Sequence, residues 1–89
     1  MFYVSYHPEV ARDIAGLGAS EKRRIQRAIE TKLVESPVRF GKPLQHSLSG
    51  LRSLRVGDHR VVFKIQGEEI VVLLIAHRSV VYTKTNRRV

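Results

Sequence analysis

The spacing of apolar positions changes period twice along the chain, and each change marks a different kind of element. Phe2 to Tyr6 is short, apolar and aromatic, which predicts a β-strand. Pro8 then suits the first position of a helix, and Glu9 favours the positive end of its dipole. Val10, Ile14 and Leu17 recur at helical spacing, so a short amphipathic helix is expected over Pro8 to Leu17, stopped by Gly18. Ser20 is placed to cap a longer helix whose apolar stripe is Ile25, Ala28, Ile29 and Leu33. Its outer side carries Lys22, Arg23, Arg24, Arg27 and Lys32. The helix should end before Ser36-Pro37, because a residue preceding proline is pushed out of the α region.

From Leu51 the period falls to two. Two alternating runs flank Gly57-Asp58, a signature of a tight β-hairpin. With those two residues as the loop, Val56 faces His59, Arg55 faces Arg60 and Leu54 faces Val61. Leu54, Val56 and Val61 then share one face of the sheet. Arg55 and Arg60 sit side by side, and like charges directly opposite one another destabilise a hairpin. That pairing points to an anion between them. Gln66-Gly67-Glu68-Glu69 predicts a second turn, and Ile70 to Ile75 reads as a strand buried on both faces. After His77-Arg78, Val80-Val81-Tyr82 reads as a last short strand or strand extension, and Thr83 to Val89 as a basic tail. The connector Val38 to Gly50 is long for a small domain, which predicts that it is functional or lies over the sheet.

The expected fold is therefore α+β: an N-terminal strand and a two-helix hairpin packed on one face of a mainly antiparallel, twisted sheet of about four strands. Arg55 and Arg60 belong to the other face. Residues 1–89 are expected to form a single domain, since the length leaves no room for a second core.

Charge narrows the function. Sixteen Lys and Arg against eight Asp and Glu give +8 at pH 7, a balance that favours a polyanionic partner such as nucleic acid. The basic face of the second helix is then either a solvated surface or a phosphate-steering one, with Arg23 and Arg27 as its candidate contacts. No membrane association is expected, because no apolar run approaches the roughly 20 residues of a span. The absence of cysteine suits a reducing cytoplasm. There is no Gly-rich phosphate loop, and His7, His46, His59 and His77 are scattered without ligand spacing, so neither metal nor cofactor is expected.

What remains is a cluster of Arg, His and Tyr: Arg55, Arg60, His77, Arg78 and Tyr82. Here the segment G-K-P-L-Q-H-S-L-S-G-L-R-S-L-R-V-G-D-H-R-V-V-F-K-I, followed by I-A-H-R-S-V-V-Y, resembles the RelE-type toxins of toxin–antitoxin pairs. Relatives commonly have Tyr at the His59 position. The resemblance implies a RelE-like, microbial-RNase-like fold and a ribosome-dependent mRNA endonuclease, cytoplasmic and needing no metal. It also implies a cognate antitoxin, bound in a hetero-oligomer, and a 70S-type ribosome carrying mRNA as the target. The implied reaction is attack of a ribose 2′-hydroxyl on the adjacent phosphate, leaving a 2′,3′-cyclic phosphate and a 5′-hydroxyl.

Residue by residue, Arg60 matches the arginine that contacts the scissile phosphate, and its planar fork suits two phosphate oxygens. Arg78 matches a second active-site arginine; since arginine stays protonated at neutral pH, charge stabilisation is its first role. Tyr82 matches a tyrosine that stacks on a base or orients the 2′-hydroxyl. Arg55 aligns with the second lysine of a family K-x-K pattern, whereas the first falls on Ser53, which supplies no cation. Arg52 is one residue out of phase with that position. His77 is either the base that takes the 2′ proton or a structural neighbour of Arg78. Lys42 and His46 on the connector, with Arg52 and Ser53, are candidate RNA or ribosome contacts. Two other readings fit the same scaffold: a ParE-like toxin that poisons DNA gyrase, and a non-catalytic RNA binder.

Overall fold

The computed structural model describes residues 2–44, 48 and 50–89. In chain order its elements are β1 (Tyr3–Tyr6), α1 (Val10–Ile14), α2 (Ala19–Ala28), a π-helical turn over Ile29–Leu33, α3 (Pro37–Phe40), β2 (Lys42–Pro43), β3 (Arg52–Val56), β4 (His59–Gln66), β5 (Glu69–His77) and α4 (Val81–Arg88). Among the described residues one sheet forms, in the spatial order β1-β5-β4-β3-β2. The hairpins β3–β4 and β4–β5 are antiparallel, while β1 runs parallel to β5 from Tyr3↔Glu69 to Tyr6↔Val72. The sheet is thus mainly antiparallel, as expected, with one parallel pairing and with five strands where about four were expected.

The register of the first hairpin is the expected one: Val56 pairs with His59, Arg55 with Arg60 and Leu54 with Val61. Gly57 and Gly67 both take positive φ, the conformation each tight turn requires and glycine adopts without a steric penalty. Directly paired residues share a face, so Leu54, Val56, Val61 and Ile75 point to one side and Ser53, Arg60, Val62, Leu74 and Ala76 to the other. The first side is closed by Val10 of α1 and by Ile25, Ile29 and Leu33, the predicted stripe of the second helix. The opposite side is closed over part of its area by Val81 of α4, with Leu44 of the connector and Leu51 just after it against the same cluster.

Three local expectations are corrected and a fourth gains detail. Val80 to Tyr82 does not extend the sheet: Val81 opens helix α4, and Val81 and Thr85, one turn apart, are the residues it buries. The β-branched pair Val80-Val81 suggested a strand, but tertiary burial at helical spacing decided the outcome. The first helix is shorter than Pro8 to Leu17, its regular part being α1, and Leu17 is held by a turn bond from its N–H to Ile14 O. Gly18, in extended conformation, occupies the N-cap of α2, so Ser20 lies inside the helix rather than capping it. Finally, the connector carries structure of its own. Pro37 starts the single turn α3, and Lys42 and Pro43 pair with Ser53 and Arg52.

Candidate functional site

The side of the sheet away from α1 and α2 presents Arg60, whose side chain reaches diagonally across the ladder toward Ser53. Arg60 Nη1 lies 3.5 Å from Ser53 Oγ, a long hydrogen bond, and Ser53 is only 2% exposed. Lys42 stands opposite Ser53 across the β2–β3 pair and is exposed, so a cation occupies the neighbouring strand where Ser53 itself offers none. Arg78 follows two residues after Ala76, the cross-strand partner of Arg60. Its backbone N–H donates to Asp58 O at 2.8 Å, which anchors it at the hairpin tip. The side chains of Arg78 and Asp58 are 3.9 Å apart and largely exposed, a pairing that leaves the guanidinium available to a ligand. Tyr82 is 55% exposed and directly follows Val81, which docks against Val62, Leu74 and Ala76. Arg60 thus lies on this face, Arg78 is fixed at the adjoining hairpin tip, and Tyr82 sits at the start of the helix that covers the same face.

Arg55 and Arg60 are opposite in the ladder, yet they take different partners. Arg55 Nε donates to Gly57 O at 3.3 Å, and the side chain lines a groove of about 520 Å³ between α2 and the hairpin. Arg23, Arg24, Arg27 and Lys32 line the same groove. The divergence relieves the like-charge pairing and replaces the expected shared anion with two separate cationic locations. Arg24 reaches the hairpin tip so closely that a Cβ on Gly57 would lie 3.1 Å from its Nη1. Arg24 and Lys32 were legible only as part of a basic helix face, because their convergence with Arg55 depends on how α2 crosses β3.

His77 is not brought to Arg60. It pairs with His59, one register step beyond Arg60↔Ala76, and so belongs to the helix side. The two imidazoles meet edge to face, with centroids 5.6 Å apart and planes at 83°. The N–H of Ser79 donates to His77 Nδ1 at 3.1 Å, with Ser79 Oγ 2.8 Å from the same atom. An Nδ1 that accepts from a backbone N–H places the neutral ring's proton on Nε2 and occupies its basic lone pair. His59 Nδ1 is buried, 3.1 Å from Glu21 Oε2 but off the direction a hydrogen bond needs. Arg52 is also diverted: its Nη1 donates to Gly41 O at 2.9 Å and lies 3.5 Å from Val38 O, tying α3 to the sheet. His46 lies outside the described residues. Among the described residues, no three His, Asp or Glu side chains converge as metal ligands, and no helix is long and apolar enough to cross a membrane.

Comparison with known proteins places this geometry in a family. The family model described as the ParE toxin of the type II toxin–antitoxin system parDE matches residues 4–82. The chain is 34% identical over 83 residues to Toxin RelE of Mycobacterium tuberculosis, covering 91% of this chain and 86% of that one. The structure superposes on the toxin–antitoxin complex RelBE2 of the same organism with a TM-score of 0.81 and 28% identity, covering 86% of this chain and 98% of that one. A RelB–RelE antitoxin–toxin complex from Methanococcus jannaschii shares the fold at a TM-score of 0.67 and 18% identity, over 86% of this chain and 93% of its own. With the motifs in the expected order and the sheet in the matching form, the chain belongs to the RelE/ParE family of type II toxin–antitoxin toxins.

Proposed function

We propose that this toxin is an endoribonuclease that cuts mRNA on the ribosome and is held inactive by a cognate antitoxin. The observation that carries the reading is Arg60, half-buried on the face away from α1 and α2, with Arg78 held at the adjoining hairpin tip and Tyr82 at the start of α4 over the same face. In the proposed reaction the ribose 2′-hydroxyl gives up its proton as its oxygen bonds to phosphorus, the P–O5′ bond breaks, and the departing 5′-oxygen takes one proton, so one proton passes in net from O2′ to O5′. The guanidinium of Arg60 takes two non-bridging oxygens through its fork, and Arg78 neutralises charge that grows as the pentacoordinate phosphorus forms. Lys42 adds a third cation beside Ser53. Tyr82 supplies an aromatic face to a splayed base. Arg55 and His77, turned to the helix side, stand apart from the reacting phosphate in this reading. The cationic groove of α2 serves instead to hold a phosphate backbone.

Solved complexes of related toxins with antitoxins support an antitoxin partner in a hetero-oligomer, and mRNA cleavage would place the protein in the cytoplasm. Inducing the protein should arrest translation and create new 5′ ends within ribosome-bound codons. Arg60→Ala should lower cleavage by about 10²–10³-fold, the usual effect of removing one preorganised donor to a transition-state anion. Unchanged cleavage by a folded Arg60→Ala protein would remove Arg60 from the mechanism.

One observation favours a second reading. The matching family model is described as a ParE toxin, and a ParE-like protein would poison DNA gyrase without cutting RNA. Induction would then give linearised plasmid and an SOS response while mRNA 5′ ends stay as they were.

A further inference from the structure

The parallel pairing of β1 with β5 stops at Tyr6↔Val72, apart from one further bond from His7 N–H to Val72 O. Beyond that point, among the described residues, the same edge of β5 has no strand beside it, and its polar backbone turns to α1 and α4 for partners. Two side chains take the place of the missing strand. Asp13 of α1 accepts from the N–H of Ile75 at 3.0 Å through Oδ2, and Arg88 of α4 donates to Leu73 O at 3.1 Å through Nη1. The two also grip each other: Arg88 Nη1 lies 2.6 Å from Oδ2 and Nη2 lies 2.9 Å from Oδ1. The side chains are 5% and 15% exposed, so this is a largely shielded, two-pronged ion pair joining α1, β5 and α4 at once. The hydrogen bond to Asp13 is the main reason the Arg88 guanidinium is held above its ordinary pKa.

Helix α4 needs such a tie. It is two turns long, too short to be stable by itself, and the residues it buries are Val81 and Thr85. Thr85 adds no bond outside the helix, since its Oγ1 donates to Val81 O at 2.6 Å. The apolar dock sits near the start of α4 and the ion pair at its last turn, six residues after Tyr82, or about 9 Å along the axis. Two anchors separated along one rod fix both its position and its rotation. We propose that the Asp13–Arg88 pair is a positioning device for Tyr82: it substitutes for a strand at the open edge of β5 and thereby sets the seat of the helix that carries the tyrosine.

Asp13 and Arg88 act through Tyr82 and touch no substrate, so their effect rests on the nuclease reading. A shift of about 1 Å in a positioned group can lower a rate on the order of 10²-fold. The test is a mutant cycle on ribosomes programmed with a short mRNA, read as single-turnover cleavage rate and, separately, as ribosome binding. Removing one charge would leave the other unpaired in a partly shielded place, so the principal variant is the neutral pair Asp13→Asn/Arg88→Met, in which Asn still accepts from Ile75.

The neutral pair should slow cleavage by about the factor that Tyr82→Ala does, with ribosome binding unchanged. Combining it with Tyr82→Ala should cost nothing more than Tyr82→Ala alone. Arg88→Lys, which keeps the charge on Asp13 with fewer donors, should fall between the wild type and the neutral pair. Amide exchange should show α4 losing protection while the core of β4 and β5 keeps it. If the neutral pair does not fold, Arg88→Lys is carried through the same cycle. Losses that multiply with Tyr82→Ala, or a neutral pair as fast as the wild type, overturn the positioning role and leave the nuclease reading standing. A wild-type protein that leaves programmed ribosomes uncut removes that reading, and this role with it.

Discussion

The two faces of the sheet are built by opposite means. On the helix side, burial is nearly complete: Ile29, Leu33, Val61, Phe63 and Ile70 are at most 1% exposed, and the charged groups lie along the rim in the α2 groove. On the other side, a short polar helix and the connector cover a smaller apolar cluster, and Arg60 remains half-buried beside it. One face spends its area on stability. The other keeps a cation in a partly dry setting, where electrostatic interactions with a phosphate are stronger than in water.

The difference is broken most severely from the helix side. Phe63 is fully buried in that core, and its ring fills the space that a Cβ on Gly41 would need. Phe63→Ala should destabilise the fold by about 3–5 kcal/mol, as large-to-small changes in aromatic core positions do. Urea unfolding should show a lower midpoint with an unchanged slope. A loss below about 1 kcal/mol would mean that this side carries less of the stability than its burial implies.

The same contrast explains what was legible in the sequence. Ile25, Ala28, Ile29 and Leu33 repeat at helical spacing, and Leu54, Val56 and Val61 alternate, so the helix side and its register could be read directly. Gly57-Asp58 then fixed Arg55 against Arg60. The other side is covered by pieces with weak patterns. Helix α4 buries two residues, and its last anchor is a charged one, Arg88, which periodicity counts as surface. Asp13 likewise looks like an ordinary helix carboxylate until β1 ends short of β5. The candidate site was found through motif order, while the direction each side chain takes was not: Arg55 and His77 share the motif with Arg60 yet face elsewhere. A register assigns the face to which a residue belongs. At a sheet edge or strand end, the long side chain chooses its partner from tertiary neighbours.

At the rim, the cationic groove offers a milder intervention. If Arg23 and Arg27 each neutralise one phosphate of single-stranded RNA, replacing both with Gln should make the log–log salt dependence of binding shallower by about 1.4, or about 0.7 per contact. Titration of a short RNA at several salt concentrations reads this directly. An unaltered slope would assign the basic face of α2 to solvent, and the functional contrast between the two faces would rest on Arg60 and its neighbours alone.

The smallest effect separates burial from charge at the edge of the helix side. Tyr6, at the end of β1, is about half exposed, and its phenol is held above the ordinary tyrosine pKa, chiefly by burial and then by the negative charge of Glu30. The folded state therefore favours the neutral phenol. In the unfolded chain the group ionises near pH 10, so below that value both states are protonated and stability is unaffected. As pH rises past 10 the unfolded state loses its proton first, and stability falls until the folded value is passed. The wild type and Tyr6→Phe should keep a constant difference in urea midpoint between pH 7 and 9. Above pH 10 the wild type should decline more steeply. Parallel profiles through pH 11 would mean that the phenol is as well solvated in the folded protein as in the unfolded chain, and that the apolar seal of the helix side ends before it reaches β1.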